Sequence, residues 1–308
     1  MVSHTAAAGA DTEAFDNGAA AIGTGPYRFV RFRRGELVQL RGNTDYWAGP
    51  PPWSEVLLKT IPDGATRVAA LLAHDVDAID AVPPEALAGL QRQSGFRVVS
   101  IVSNRLIYLA ADTARPRAPS LTDAEGRALA TNPLRDVRVG RAISLAINRA
   151  VLVDQVMQGM AVAAGQFLPD GIYGVSPRLK PDPFDLAESR RLLAEAGYPA
   201  GFRLTLTASN NRDVNNRQLG EAIAGMLTRA GLRTALDATP SSQVFTGLGR
   251  GDVALLLYGW ATETGEPSGP LRFLVATQDP ARGWGSSNRL RYSNPRVDAV
   301  LAAALAGC

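Results

Sequence analysis

The sequence predicts an α/β fold, and three observations carry that expectation. Between residues 184 and 260, short strand-like runs take turns with helical periodicities. Leu204 and Leu206 alternate with Thr205 and Thr207; Leu219, Ile223, Met226 and Leu227 then follow a helical spacing. Leu232, Thr234, Leu236 and Ala238 alternate again before a short helix that ends at Leu248. The second observation is the unbroken apolar run Val253 to Tyr258, bounded by Gly251-Asp252 and Gly259, which reads as a strand buried on both faces. The third is that polar groups follow each strand: Ser209-Asn210-Asn211, Pro240-Ser241-Ser242, and Trp260 to Glu266. A β-α-β-α-β order implies parallel strands with right-handed crossovers. All three carboxyl ends then share one edge, where ligands of open α/β sheets bind. Asn210, Trp260 and Glu263 are expected there.

In chain order, residues 1–22 are small and polar and read as a mobile tail. Tyr27 to Phe32 and Glu36 to Arg41 read as a hairpin joined by Arg33-Arg34-Gly35. Its arginines, Arg28, Arg31, Arg33 and Arg34, are read as a solvated strand face rather than a phosphate patch. Val56 to Ile61 is a strand, and Asp63 caps a helix over Ala65 to Ala73. Val76 to Ile79, Val98 to Val102 and Leu106 to Ala110 are further strand candidates, with a short helix from Pro84 to Leu90. Residues 112–135, with Arg115, Pro116, Arg117, Pro119 and Pro133, form a long loop. Asp136 opens a helical region to Met157, broken near Asn148-Arg149. Asp185 with Glu188 gives a capping-box-like start, and Gly197 and Pro199 stop that helix. Leu271 to Ala276 has helical character, Gln278 to Asn288 is loop, and Asn294-Pro295 starts a last helix running to about Ala306.

The composition excludes several classes. Basic and acidic residues number 32 and 29 across 308 residues, a balance that argues against nucleic acid as a partner. The single cysteine, Cys308, permits no intrachain disulfide, and the two histidines, His4 and His74, stand far apart, so no zinc site is expected. No apolar run approaches the ~18 residues of a membrane span. No apolar signal-peptide core stands in residues 1–22.

Among candidate constellations, Gly23-Thr24-Gly25 precedes a strand and lacks the lysine of a phosphate loop, so it reads as a turn. No Ser/His/Asp triad and no Gly-x-Ser-x-Gly elbow can be built, and no cofactor is called for. Position alone leaves Trp260 open between core and ligand contact, and Glu263 between solvated acid and receptor. Together, an aromatic face and a carboxylate form a receptor for an ammonium group.

The motifs GTGPY (23–27), NTDYW (43–47), IPDGATRVAAL (61–71), DVRV (136–139), AINR (146–149), LLAEAGYPAGF (192–202), Gly259-Trp260 and RYSNPRVD (291–298) stand in the order of one family. The chain resembles the family 5 extracellular solute-binding proteins, the peptide-binding subunits of ABC importers. The resemblance implies a two-lobed periplasmic-binding-protein-like fold of type II, here incomplete. It implies a tail over 1–22, part of lobe I over 23–109 and lobe II over 110–308, crossing near Tyr108 to Thr113. It implies that short peptides bind between the lobes for delivery to a membrane permease in the periplasm. Glu263 stands where the family's aspartate meets the peptide ammonium, with Trp260, Tyr108 and Asn210 completing the expected ligand set. Leu248 and Leu257 stand where oligopeptide binders place arginines, a departure from that pattern, and Arg115 to Asn132 is longer than the family pattern. Portions before GTGPY and after RYSNP are missing relative to the family, so a truncated product is expected. An α/β enzyme using the same crevice and a non-functional truncated binding protein are the alternatives.

Overall fold

The computed structural model describes residues 2–118, 120–262 and 264–306. The chain divides into two compact units, Met1–Asp80 and Ala81–Cys308.

The first unit opens with two one-turn helices, α1 (His4–Ala7) and α2 (Thr12–Asp16), capped by the side chains of Ser3 and Asp11. Ser3 donates its amide to the Ile22 carbonyl at 2.7 Å, Val2 bridges Gly23, and Ala20 is 1% exposed. Residues 2–23 therefore close on themselves instead of trailing as a tail. The reason is backbone satisfaction at both ends of the loop together with one small buried residue. Strands β1 (Tyr27–Arg33), β2 (Leu37–Gly42) and β3 (Glu55–Lys59) form an antiparallel sheet in that order. The hairpin arginines are solvated and paired: Arg28 with Asp45, Arg33 with Glu36 and Arg34 with Asp16. Asp63 caps α3 (Gly64–Leu72) by accepting the Thr66 amide at 2.8 Å. The strand expected at residues 76–79 is absent.

The second unit begins with α4 (Pro84–Gln91), which has proline in its first turn. Residues 98–102 form no strand. A β-branched run becomes a strand only beside a partner that takes its N–H and C=O groups, and among the described residues none pairs here. Strand β4 (Arg105–Ala111) follows. It contains the expected 109/110 boundary, so those residues lie inside one strand.

The long segment that follows is pinned, not loose. The buried Asn132 amide donates to the carbonyls of Asp112 and Arg115 at 2.7 and 3.0 Å. The Arg115 guanidinium bonds Asp112 and the carbonyls of Gly251 and Val253. Helices α5 (Val137–Ala146) and α6 (Arg149–Val151) are separated at Ile147-Asn148, where the Asn148 side chain accepts the Val151 amide and starts the second helix. Helix α7 (Leu186–Glu195) starts at Asp185, which accepts the Glu188 amide at 2.9 Å.

Then come β5 (Arg203–Ser209), α8 (Asn216–Ala230), β6 (Arg233–Thr239), α9 (Ser241–Arg250) and β7 (Leu255–Ala261). A one-turn helix, α10 (Ser268–Pro270), leads into a wide turn over Leu271–Val275, and α11 (Pro295–Ala306) is last.

The sheet order is β4-β7-β5-β6. β5 is parallel to β6 on one side and to β7 on the other, while β4 runs antiparallel along β7. Because β7 returns past β6 to the far side of β5, the two crossovers cover opposite faces. On one face, Leu204, Leu206 and Ala208 of β5 and Leu255 and Leu257 of β7 pack with Leu219, Ile223 and Leu227 of α8 and with residues of α5 and α7. On the other, Leu256 and Tyr258 pack with Val244 of α9 and with Leu290.

Candidate functional site

Parallel pairing of β5 with β6 and β7 places their carboxyl ends together, and the antiparallel β4 brings its first residue, Arg105, opposite Ala261 at the same edge. The gap between β5 and β7 is the point where the connections diverge to opposite faces. Ligands of open α/β sheets bind at such a switch point.

The loop after β5 is built around this point. Asn210 donates its amide to the Thr239 carbonyl and its side-chain NH2 to the Ala238 carbonyl, at 3.0 and 3.2 Å, which holds it at the exposed edge. The Arg212 guanidinium lies 4.4 Å from the centre of the Tyr258 ring and donates to the Gly259 carbonyl at 3.4 Å. Asp213 goes to the opposite face. Its side chain is 1% exposed and accepts from Arg105 at 2.7 Å, while its second oxygen has no hydrogen-bond partner. A Cβ on residue 259 would lie 2.5 Å from an Asp213 oxygen, so Gly259 is the residue that makes room for this carboxylate.

Alternation along β7 puts Trp260 on the face of Tyr258 and Leu256. Trp260 is half-buried, with the Phe273 ring 6.1 Å away. Tyr108, paired with Tyr258 in the ladder, meets it edge-on at 6.4 Å, and Phe245 of α9 meets Tyr258 at 6.0 Å. A cavity of about 30 Å³ lies beside Tyr108 and Tyr258, lined also by Leu274, Asn288 and Arg289. It has room for about one water. Burial pushes the Tyr108 hydroxyl up to about 12, with the Tyr258 hydroxyl adding to the rise and Arg212 opposing it. Burial also raises Tyr258, against the pull of Arg212 and Arg289.

Of the expected ligand set, Trp260, Tyr108 and Asn210 lie on strands or strand ends of this edge. Glu263 lies outside the described residues. Glu266 is occupied locally: it accepts the Ser268 amide and the hydroxyls of Ser268 and Thr264, each at 2.8 Å, and the Ser268 amide foremost holds its carboxyl below the usual range. Sequence reasoning passed over Arg105, Arg212 and Asp213. Arg212-Asp213 follows Asn210-Asn211 directly. Its signal was position, two charged residues beyond a strand's carboxyl end. Among the described residues no group of three or more His, Cys, Asp and Glu is placed to hold a metal, and no helix is long and apolar enough to cross a membrane.

A model of the bacterial extracellular solute-binding proteins, family 5, matches residues 1–281. The chain belongs to this family. Among family 5 relatives, the glutathione-binding protein GsiB of Pectobacterium atrosepticum is 30% identical over 292 residues, covering 92% of this chain and 52% of that protein. Heme-binding protein A of Haemophilus influenzae is 25% identical, covering 91% and 48%. The solved murein tripeptide binding protein MppA of Escherichia coli superimposes with a TM-score of 0.77 at 23% identity, over 98% of this chain and 56% of that one. A dipeptide binding protein from Pseudoalteromonas sp. SM9913, solved with Met-Leu, gives 0.71 at 23% identity, over 90% and 52%. The fold is thus that of the type II periplasmic binding proteins, and the chain spans about half the length of the curated relatives it matches. These relatives are solute-binding proteins, not enzymes.

Proposed function

We propose that the chain is a substrate-binding component of an ABC importer, taking short peptides at the carboxyl edge of β7 and β5 and presenting them to permease subunits in the periplasm. The observation that carries the reading is the gathering of Asn210, Arg212 and Trp260 at the sheet's switch point in a family 5 chain. A peptide offers what such an edge can meet: a carboxylate for the guanidinium of Arg212, which lies over the Tyr258 ring, and apolar surface for Trp260. The carboxylate of Glu263 is assigned to the α-ammonium. Three of these relatives, named for glutathione, a murein tripeptide and a dipeptide, fit a peptide ligand, and the heme-binding one does not.

The test is tryptophan fluorescence of the chain against a library of di- and tripeptides, with chromatography of the mixtures. Peptides that change the signal and are recovered intact are expected; a peptide consumed would replace the binder with an enzyme. Glu263→Gln should weaken the best peptide by about 30-fold to a few thousand-fold, the range for truncating one partner of a buried charge pair. N-acetylation of that peptide should weaken it comparably. Equal binding of free and acetylated peptide would remove Glu263 from the ammonium role.

A further inference from the structure

Three arginines of this crevice lie on aromatic rings of its wall. Arg212 sits 4.4 Å from the Tyr258 ring centre, Arg289 lies 5.7 Å from Phe245 and Arg272 lies 4.6 Å from Phe273. Their rings are in contact with one another or with Trp260: Tyr258 with Phe245, and Phe273 with Trp260. A guanidinium over an aromatic face is attracted by the ring, and that attraction uses none of its N–H donors.

Carboxylate acceptors for these arginines are scarce among the described residues. Asp213 is engaged by Arg105, and lies 3.8 Å from Arg212. Among the described residues neither Arg272 nor Arg289 forms an ion pair. The Arg272 Nε is buried without a hydrogen-bond partner. A buried charged donor left without an acceptor is costly, and an incoming anion removes that cost. Tyr258 sits in the fields of Arg212, Arg289 and Arg105 against the single carboxylate of Asp213. Arg105 and Asp213 pair with each other on the opposite face; among the other described residues named here, the three guanidiniums of Arg212, Arg272 and Arg289 stand against the carboxylate of Glu266, which is already taken up by Ser268 and Thr264.

We infer that this crevice selects ligands of net negative charge, carrying at least two carboxylates, with Arg272 and Arg289 meeting the second one. This rests on the solute-binding reading above and names its substrate class: acidic peptides in preference to neutral or basic ones. A single terminal carboxylate leaves part of the guanidinium array unmatched, whereas an acidic side chain supplies the missing acceptor.

The experiment is calorimetry on the 308-residue chain with four probes: Ala-Ala-Ala, Glu-Ala-Glu, Lys-Ala-Lys and the non-peptide dicarboxylate glutarate. Glu-Ala-Glu should bind about tenfold or more tightly than Ala-Ala-Ala. Added salt should narrow that gap. Arg289→Gln and Arg272→Gln should each narrow it as well; Arg289 is exposed, so its variant keeps the core intact. Equal affinity for Glu-Ala-Glu and Ala-Ala-Ala would overturn the charge selection and leave the peptide reading standing. Glutarate binding while no peptide binds would support the charge selection and remove the peptide reading. Preference for Lys-Ala-Lys, or binding of neither anionic probe, would overturn the inference.

Discussion

At the scale of single residues, the site is set by where a few polar groups are forced to go. Tyr108 is a clear case. It was expected from the sequence as a ligand residue, and it lies in the ladder opposite Tyr258 with its ring packed edge-on. Burial favours the neutral phenol and raises the hydroxyl to about 12. The unfolded chain therefore releases this proton first as pH rises. The stability that Tyr108 contributes is fully present below the unfolded phenol's pKa and is lost as pH climbs through about 12. Tyr108→Phe should flatten the alkaline fall in urea midpoint, with Tyr258, also raised, leaving a residual slope. Identical alkaline slopes in parent and variant would contradict the burial of this hydroxyl.

At the scale of elements, β7 shows what was legible and what was not. Val253 to Tyr258 announced a two-face buried strand, and the residues from Val253 to Tyr258 are all buried. Alternation in Leu204 to Thr207 and the periodicity of Leu219 to Leu227 gave β5 and α8 because each pattern follows from one buried face. The order of strands was not legible: the parallel β-α-β-α-β unit fits β7 beside β6 as well as beyond β5, and only packing decides. Nor could the sequence reveal that Gly259 is shaped by a residue 46 positions earlier, Asp213. That contact yields a prediction. In Gly259→Ala, the new methyl meets a carboxylate that is fixed by Arg105 and has no solvent to retreat into. Overpacking of this kind costs about 1–3 kcal/mol. Thermal melts should show the loss, and Asp213→Ala should relieve part of it, so that the two substitutions are non-additive. Strict additivity would mean that the glycine and the carboxylate do not touch.

At the scale of the whole chain, the two units differ in what holds them. Among the described residues of Met1–Asp80 the buried apolar ones are Ala20 and Leu71, and none of the apolar clusters of buried residues draws on them. Its sheet carries exposed Val30, Phe32, Leu57 and Leu58, and Trp47 and Trp53 are 82% and 66% exposed. In the second unit, one face of β5 and both faces of β7 pack into apolar clusters with residues of α5, α7, α8 and α9. Apolar burial is the main favourable term in folding, so the units should open at different free energies. Hydrogen exchange should find the amides of β1, β2 and β3 exchanging well before those of β5 and β7. Of the four tryptophans, Trp47 and Trp53 report on the first unit and Trp260 and Trp284 on the second. In a Trp47→Phe, Trp53→Phe variant the remaining fluorescence should follow only the later transition. Exposed apolar side chains on the first unit should also drive self-association, seen as a mass above the monomer in light scattering. A monomer whose exchange, fluorescence and calorimetric transitions all coincide would show instead that the first unit draws its stability from the second.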